Sequence, residues 1–324
     1  MVAIMDRSVE MGIEVFDKEI EVLNSVRNQL GSVFSQILEE ILACEGKVIL
    51  IGMGKSGHVA GKIAATMSSL GTSAFALNAG ECMHGDLGKI RKNDVVILIS
   101  YSGECDEILR IIPSIKLIGA TILGITCNGE STLARSCKVV QVFNGVEEAC
   151  HLGIAPTSSA TAVMVYGDAL AVAASRVKGF EKDDFGVLHP EGTLGKKIIT
   201  RTIDLMRPVA EDLFLHEDST ILEAVEAMIN ADTDLVFVVN EEKFLTGIVT
   251  NGDLKRNMPD KDIKNDRIMP FIHRYPVFVD VSAKAVEALR IMTDKNVHAL
   301  PVVKDEKPVG VIERDAIIRY GIYL

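Results

Sequence analysis

Two glycine-bearing turns carry residue types suited to holding a phosphate. Gly52-Met53-Gly54-Lys55-Ser56-Gly57 follows an apolar run and precedes a helical pattern. A Walker A loop, G-x-x-x-x-G-K-[ST], would need glycine at 49, where this chain has Ile49. The dinucleotide pattern G-x-G-x-x-G is met. Its usual ribose-binding acid is not: the next strand runs into Leu77-Asn78-Ala79-Gly80, with no acid before Glu81. A turn that opens a helix offers backbone N–H groups and the positive end of a dipole to an anion. Ser56 adds a hydroxyl there and Lys55 a mobile cation. Ser100-Tyr101-Ser102-Gly103-Glu104 repeats this chemistry ahead of a second helix. The competing reading of these serines is that they are helix caps.

The elements that must position these turns are legible as alternating patterns. Residues 8–44 carry apolar positions at helical spacing, one or two amphipathic helices. Buried strands are expected over 47–52, 72–77, 94–100, 120–126 and 139–143, and helices over 58–70, 107–117 and 158–176. Continuous apolar strands alternating with helices predict a parallel sheet covered on both faces, a doubly wound α/β domain. Both serine-bearing turns then fall at the carboxyl edge of that sheet, where open α/β sheets bind ligands.

Composition narrows the function class. The chain has 324 residues, 34 basic and 45 acidic, with a net charge of −11. Phosphate-backbone binding needs clustered cations, so nucleic acid is not the expected partner. Aromatics are 5% and Trp is absent, which leaves little for base stacking. Residues 1–6 show no signal-peptide core, and unbroken apolar runs such as Ala169–Ala174 fall short of the ~18 residues of a membrane span. None of the 6 cysteines forms a C-x-x-C pair, so reduced thiols in a cytoplasm are expected.

After about residue 200 an internal repeat appears. Met206 recurs at Met269, Val236–Val239 at Leu300–Val303, and Gly247-Ile248-Val249 at Gly310-Val311-Ile312. Ala224–Met228 resembles Ala285–Leu289. Each unit reads as a short entry segment, a helix, two strands and a closing helix. Neither half alone buries much core, so the two are expected to pack as a pseudo-symmetric pair.

Taken together, GMGKSGH (52–58), HGDLG (84–88), SYSGE (100–104), EAC (148–150), LGIAPTSS (152–159), GDALAV (167–172) and HPEGTLG (189–195) resemble the bacterial arabinose-5-phosphate isomerases. Those proteins are sugar-isomerase (SIS) domains followed by a pair of cystathionine-β-synthase (CBS) modules, and the likeness covers nearly the whole chain. It implies N-terminal helices over 1–45, a SIS domain over 46–200, and α+β CBS repeats over 203–262 and 266–324. It also implies interconversion of ribulose 5-phosphate and arabinose 5-phosphate through an enediol(ate), an early step toward the lipopolysaccharide sugar Kdo, with no redox cofactor.

By motif match, the family's functional positions fall on Lys55, Glu107, Glu148 and His189. The resemblance implies Glu148 as proton shuttle, His189 for hydroxyl protons, Lys55 beside the developing oxyanion and Glu107 in support. Two carboxylates compete for the base, and Glu147 adjoins Glu148. Ser56, Ser100 and Ser102 would hold the phosphate, with Gly71, Thr72 and His84 as further substrate contacts. A homotetramer with composite sites is implied, which lets His189 serve a neighbouring subunit.

The chain departs from the family pattern in ways that matter. Asn78-Ala79 replaces a His-Pro associated with a metal, and Cys105 replaces a hydroxyl donor after Ser-Gly-Glu. A Cys82/His84 pair lacks the ligand count of a structural zinc site, so no metal is expected. CBS pairs often bind adenine nucleotides through [ST]-x-x-D. Thr250 and Asp253 supply it in the first repeat, whereas the second reads Glu313-Arg314-Asp315. A nucleotide or nucleotide-sugar effector is one reading and a dimerisation module the other. Against the enzyme stand a non-catalytic phosphosugar sensor and an isomerase for another sugar phosphate.

Overall fold

The computed structural model describes residues 2–257 and 265–324. The chain divides into two compact units, Met1–Phe185 and Gly186–Leu324. The expected end of the first CBS repeat, residue 262, lies outside the described residues.

The first unit is a five-stranded sheet wrapped by helices. Its elements are α1 (Val2–Asn28), α2 (Ser32–Leu42), β1 (Val48–Gly52), α3 (Lys55–Ser69), β2 (Ala74–Asn78), α4 (Ala79–Cys82), β3 (Val95–Ile99), α5 (Asp106–Ile118), β4 (Thr121–Thr126), α6 (Thr132–Ser136), β5 (Val139–Val142) and α7 (Ser158–Val177). All pairings are parallel, in the order β2-β1-β3-β4-β5. The doubly wound sheet read from the sequence is therefore present.

Period-two alternation divides each strand between two cores. Val48 and Leu50 of β1 join Val95, Ile97 and Ile99 in a core that includes Ile63, Met67, Leu170 and Ala174 from α3 and α7. Ile49 and Ile51 face the other way, with Val96, Leu98 and residues Ile108, Ile111 and Ile115 of α5. Helix α7 is long and apolar enough to cross a membrane by length and composition. Here it is a core helix, with Tyr166, Leu170, Ala171 and Ala174 buried. Among the described side chains of α1, the later Val22 and Val26 are buried, and Val9, Ile13, Phe16 and Ile20 are exposed.

The strand order reverses between β1 and β3, and at such a switch point the loops leaving the carboxyl edge diverge and open a crevice. The loops that leave there are the two glycine-bearing turns. Gly52 allows this closeness: a Cβ on it would sit 2.7 Å from the backbone carbon of Ser56.

The second unit holds the repeat. It comprises α9 (Thr193–Ile199), α10 (Thr202–Leu205), β6 (Arg207–Pro208), β7 (Phe214–Leu215), α11 (Ile221–Asn230), β8 (Leu235–Val239), β9 (Leu245–Thr250), α12 (Asn251–Asn257), β10 (His273–Arg274), β11 (Val279–Asp280), α13 (Ala285–Lys295), β12 (Ala299–Lys304), β13 (Lys307–Glu313) and α14 (Arg314–Arg319). The short α8 (Lys182–Leu188) straddles the division. The repeats exchange their entry strands: β6 pairs with β13, and β10 pairs with β9. The helices correspond with Ile221 matched to Ala285, so the buried Ala224 corresponds to Ala288 rather than to Ala285. The pentapeptide likeness Ala224–Met228/Ala285–Leu289 is thus about one helical turn out of register. On an amphipathic helix a shift of three residues nearly preserves the apolar face, and that explains the false match.

Candidate active site at the carboxyl edge of the sheet

Helix α3 begins at Lys55, three residues before the start read from the sequence, so Lys55 and Ser56 form its first turn. The glycines hide this start, because Gly54 as N-cap offers no side-chain oxygen. Lys55 is exposed. Across the crevice, the Ser100 hydroxyl accepts the Gly103 N–H at 3.1 Å and the Ser102 hydroxyl accepts the Glu104 N–H at 3.2 Å. These bonds are of the kind the capping reading calls for, but they close the turn ahead of α5. Each hydroxyl keeps its own proton for donation.

Two cavities adjoin here and share Ser56, Ile99, Ser100 and Tyr101. One also takes Met53, Ser102 and Cys105 into its wall. The other runs toward Cys127, Pro156 and Ser159. Ser56, Ser100 and Ser102 therefore lie together as a hydroxyl cluster beside a helix start.

Glu148 comes from the loop between β5 and α7. Its Oε2 accepts the Thr157 N–H at 2.7 Å, the Thr157 hydroxyl at 3.1 Å and the Ser159 N–H at 3.2 Å, and its Oε1 accepts the Ser159 hydroxyl at 2.5 Å. Thr157, the N-cap of α7, gives that helix no side-chain cap of its own; Glu148 does this from outside. Burial raises the carboxyl pKa, but the bonds from Ser159 and Thr157 outweigh it and hold Glu148 below the usual carboxylate range. Glu147 points elsewhere, bonding Lys18 of α1 at 2.8 Å. The adjacent carboxylates are thus separated by their partners, and Ser159, a residue the sequence reading does not assign, links Glu148 to a cavity wall.

Glu107 lies in the first turn of α5 and accepts the Cys105 thiol at 2.9 Å. That bond lowers the carboxyl pKa; burial chiefly, then the bond to Glu107, raises that of the thiol. Cys105 spends its proton on Glu107.

The remaining assigned residues are dispersed. Gly71 and Thr72 precede β2 and so stand at the amino edge of their own sheet, where buried Thr72 receives Lys178 Nζ at 2.9 Å. His84 follows α4, is exposed, and lines neither cavity. Cys82 beside it is buried, with its thiol pushed up to about 11 by burial. Among the described residues no three His, Cys, Asp or Glu side chains converge as metal ligands. His189 belongs to the second unit, half-buried in a turn after α8, where its N–H reaches the Gly186 carbonyl at 3.2 Å. Gly195 closes that turn, since a Cβ there would strike the His189 carbonyl oxygen.

Comparison with known proteins bears on both units. A SIS-domain model matches residues 41–173, and CBS-domain models match 203–260 and 268–323. The arabinose 5-phosphate isomerase KdsD of Yersinia pestis is 37% identical over 314 residues, covering 97% of this chain and 96% of that protein. The chain belongs to the arabinose 5-phosphate isomerase family. The KdsD of Pseudomonas aeruginosa is 38% identical over 310 residues, 94% of each chain. Among solved structures, an E. coli CFT073 protein in complex with arabinose 5-phosphate is 41% identical, with a TM-score of 0.56 over 57% of this chain and 98% of its own.

In this family member's second unit, a cleft between the repeats is lined by Asp234, Thr250, Asn251, His298, Glu313 and Asp315, among others. The Thr250 hydroxyl donates to Asp253 Oδ2 at 2.5 Å, and Arg256 Nη2 meets Asp253 Oδ1 at 2.7 Å. Burial raises the Asp253 pKa, but these bonds prevail and lower it. Thr250 and Asp253 thus cap the start of α12 reciprocally, the Thr250 hydroxyl accepting the Asp253 N–H and the Asp253 carboxylate the Thr250 N–H, each at 3.2 Å, while Thr250 also lines the cleft. In the second repeat Glu313 is engaged by Arg207 Nη2 at 2.9 Å.

Proposed function

We propose that this protein interconverts ribulose 5-phosphate and arabinose 5-phosphate, the aldose–ketose step that feeds the building of Kdo for lipopolysaccharide. The observation that carries the reading is the pair of adjoining cavities with a hydroxyl cluster on one side and the Ser159-linked Glu148 on the other. Ser56, Ser100 and Ser102 hold the phosphate at the start of α3. Glu148, kept ionised by the four hydrogen bonds it accepts, is the base that moves the proton between C1 and C2. Lys55 stabilises the enediolate oxygen, Glu107 supports the substrate, and His189 handles hydroxyl protons.

The chemistry is proton transfer with no net redox change, so it calls for no redox cofactor. The protein works as a cytoplasmic homotetramer. The exposed apolar side chains of α1 support assembly with further copies. Gly71 and Thr72, at the far edge of their own sheet, contribute to a neighbouring subunit's site. His84 is a further substrate contact. The cleft between the CBS repeats takes a nucleotide or nucleotide-sugar effector through Thr250, with Asp253 freed from its cap to meet the ligand.

The test is a coupled assay of the purified protein with ribulose 5-phosphate, monitoring arabinose 5-phosphate. Turnover is expected. Tight phosphosugar binding without turnover would make the protein a sensor instead, with Lys55, Glu107, Glu148 and His189 as ligands.

A further inference from the structure

Tyr101 stands between the two serines of the β3–α5 loop. Its main chain is fixed by the end of β4: the Tyr101 carbonyl accepts the Cys127 N–H at 2.9 Å and the Thr126 hydroxyl at 3.1 Å. Tyr101 contributes to the wall of both cavities. The phenol donates to the Val146 carbonyl at 3.2 Å, and buried Val146 stands two residues before Glu148. Burial of the ring, helped by Cys127 and Glu148, raises the phenol pKa, so the hydroxyl keeps its proton and stays a donor.

The loop that delivers Glu148 is tied at several points. Asn144 exchanges hydrogen bonds with Gln29 at 2.9 and 3.0 Å. Glu147 is held by Lys18, and Glu148 by Thr157 and Ser159. Of these ties, the one from Tyr101 runs to the serine loop. Tyr101 lies between Ser100 and Ser102 in the chain, so a contact of either serine with an anion acts on the same loop that bonds Val146.

We propose that Tyr101 is a positioning residue that couples phosphate binding at the serine loop to the placement of Glu148, through its hydroxyl on the Val146 carbonyl. This rests on the isomerase reading for the roles of the serines and of Glu148. The side chain thereby ties the loop that would seat the phosphate to the loop that carries the base.

The test is Tyr101→Phe in the full chain, which keeps the ring and removes one partly exposed hydroxyl. With ribulose 5-phosphate, kcat is expected to fall roughly three- to tenfold while KM moves less than about twofold, the scale of one net hydrogen bond felt in the transition state. In hydrogen–deuterium exchange, inorganic phosphate should protect residues 144–150 in the unsubstituted protein and not in the variant. An unchanged kcat, or a rise in KM that matches the loss in kcat, overturns the coupling and leaves the isomerase intact. If the unsubstituted protein does not turn over, the isomerase reading fails. Exchange then decides the coupling alone: equal phosphate protection in both proteins overturns it.

Discussion

The Ser159 hydroxyl lies 2.5 Å from Glu148 Oε1, joining the second residue of α7 to the carboxylate that caps that helix. One contact therefore serves both the stability of a core helix and the ionisation of Glu148. Ser159→Ala removes the side-chain bond that most strongly opposes burial. The Glu148 pKa should then rise. The acid limb of the kcat/KM profile should move to higher pH, with kcat lowered about three- to tenfold at neutral pH. An acid limb that stays in place would show that Glu148 does not set it.

Glu148→Gln should lose turnover by at least about 100-fold. It should also lower stability by about 1 kcal/mol, because an amide accepts more weakly from the Thr157 and Ser159 N–H groups that the carboxylate caps. The pH dependence follows from the sign of the shift. A carboxyl whose folded pKa lies below its unfolded value stabilises the fold above the unfolded pKa, and loses that contribution as pH falls through the folded value. The difference in melting temperature between the two proteins should be largest near neutral pH and shrink on acidification. A constant difference would place the cap's contribution elsewhere.

Cys105 lines the serine cavity, yet its thiol donates its hydrogen bond to Glu107. Cys105→Ser keeps that bond with a stronger donor, so KM for ribulose 5-phosphate should stay within about twofold of the wild-type value. Cys105→Ala should leave KM near the wild-type value, since the thiol is committed to the carboxylate. A large rise in KM for the alanine variant would instead make the thiol a phosphate ligand.

In the second unit, calorimetry of the full chain with ATP and AMP should show binding that Thr250→Ala weakens about tenfold, the loss of one cleft-facing hydroxyl bonded to a charged or ribose oxygen. Silence at millimolar nucleotide would leave the CBS pair as a structural module.

Much of this arrangement is legible before any coordinates. The strands read out because both faces of the sheet are covered, and the runs 48–52, 95–99 and 121–126 are almost wholly apolar. Helices α4 and α6, of 4 and 5 residues, are too short to show a period, so nothing in the sequence announces them. The start of α3 is masked by its glycines. Ser56, Ser100 and Ser102 are found together because each follows a strand at one edge. Ser159, Thr157 and Tyr101 lie inside the recognised motifs yet take no role from them, since what they do depends on how the Glu148 loop folds back. Gly71 and Thr72 can be named from a motif, but only the parallel register puts them at the opposite edge.

The central claim, that Glu148 is the proton shuttle of an isomerase, is tested most directly by running the reaction in deuterated water. The protein should convert ribulose 5-phosphate to arabinose 5-phosphate and place deuterium at C2 of the product, and Glu148→Gln should abolish both conversion and incorporation. Conversion that persists in Glu148→Gln with undiminished deuterium incorporation would contradict the assignment.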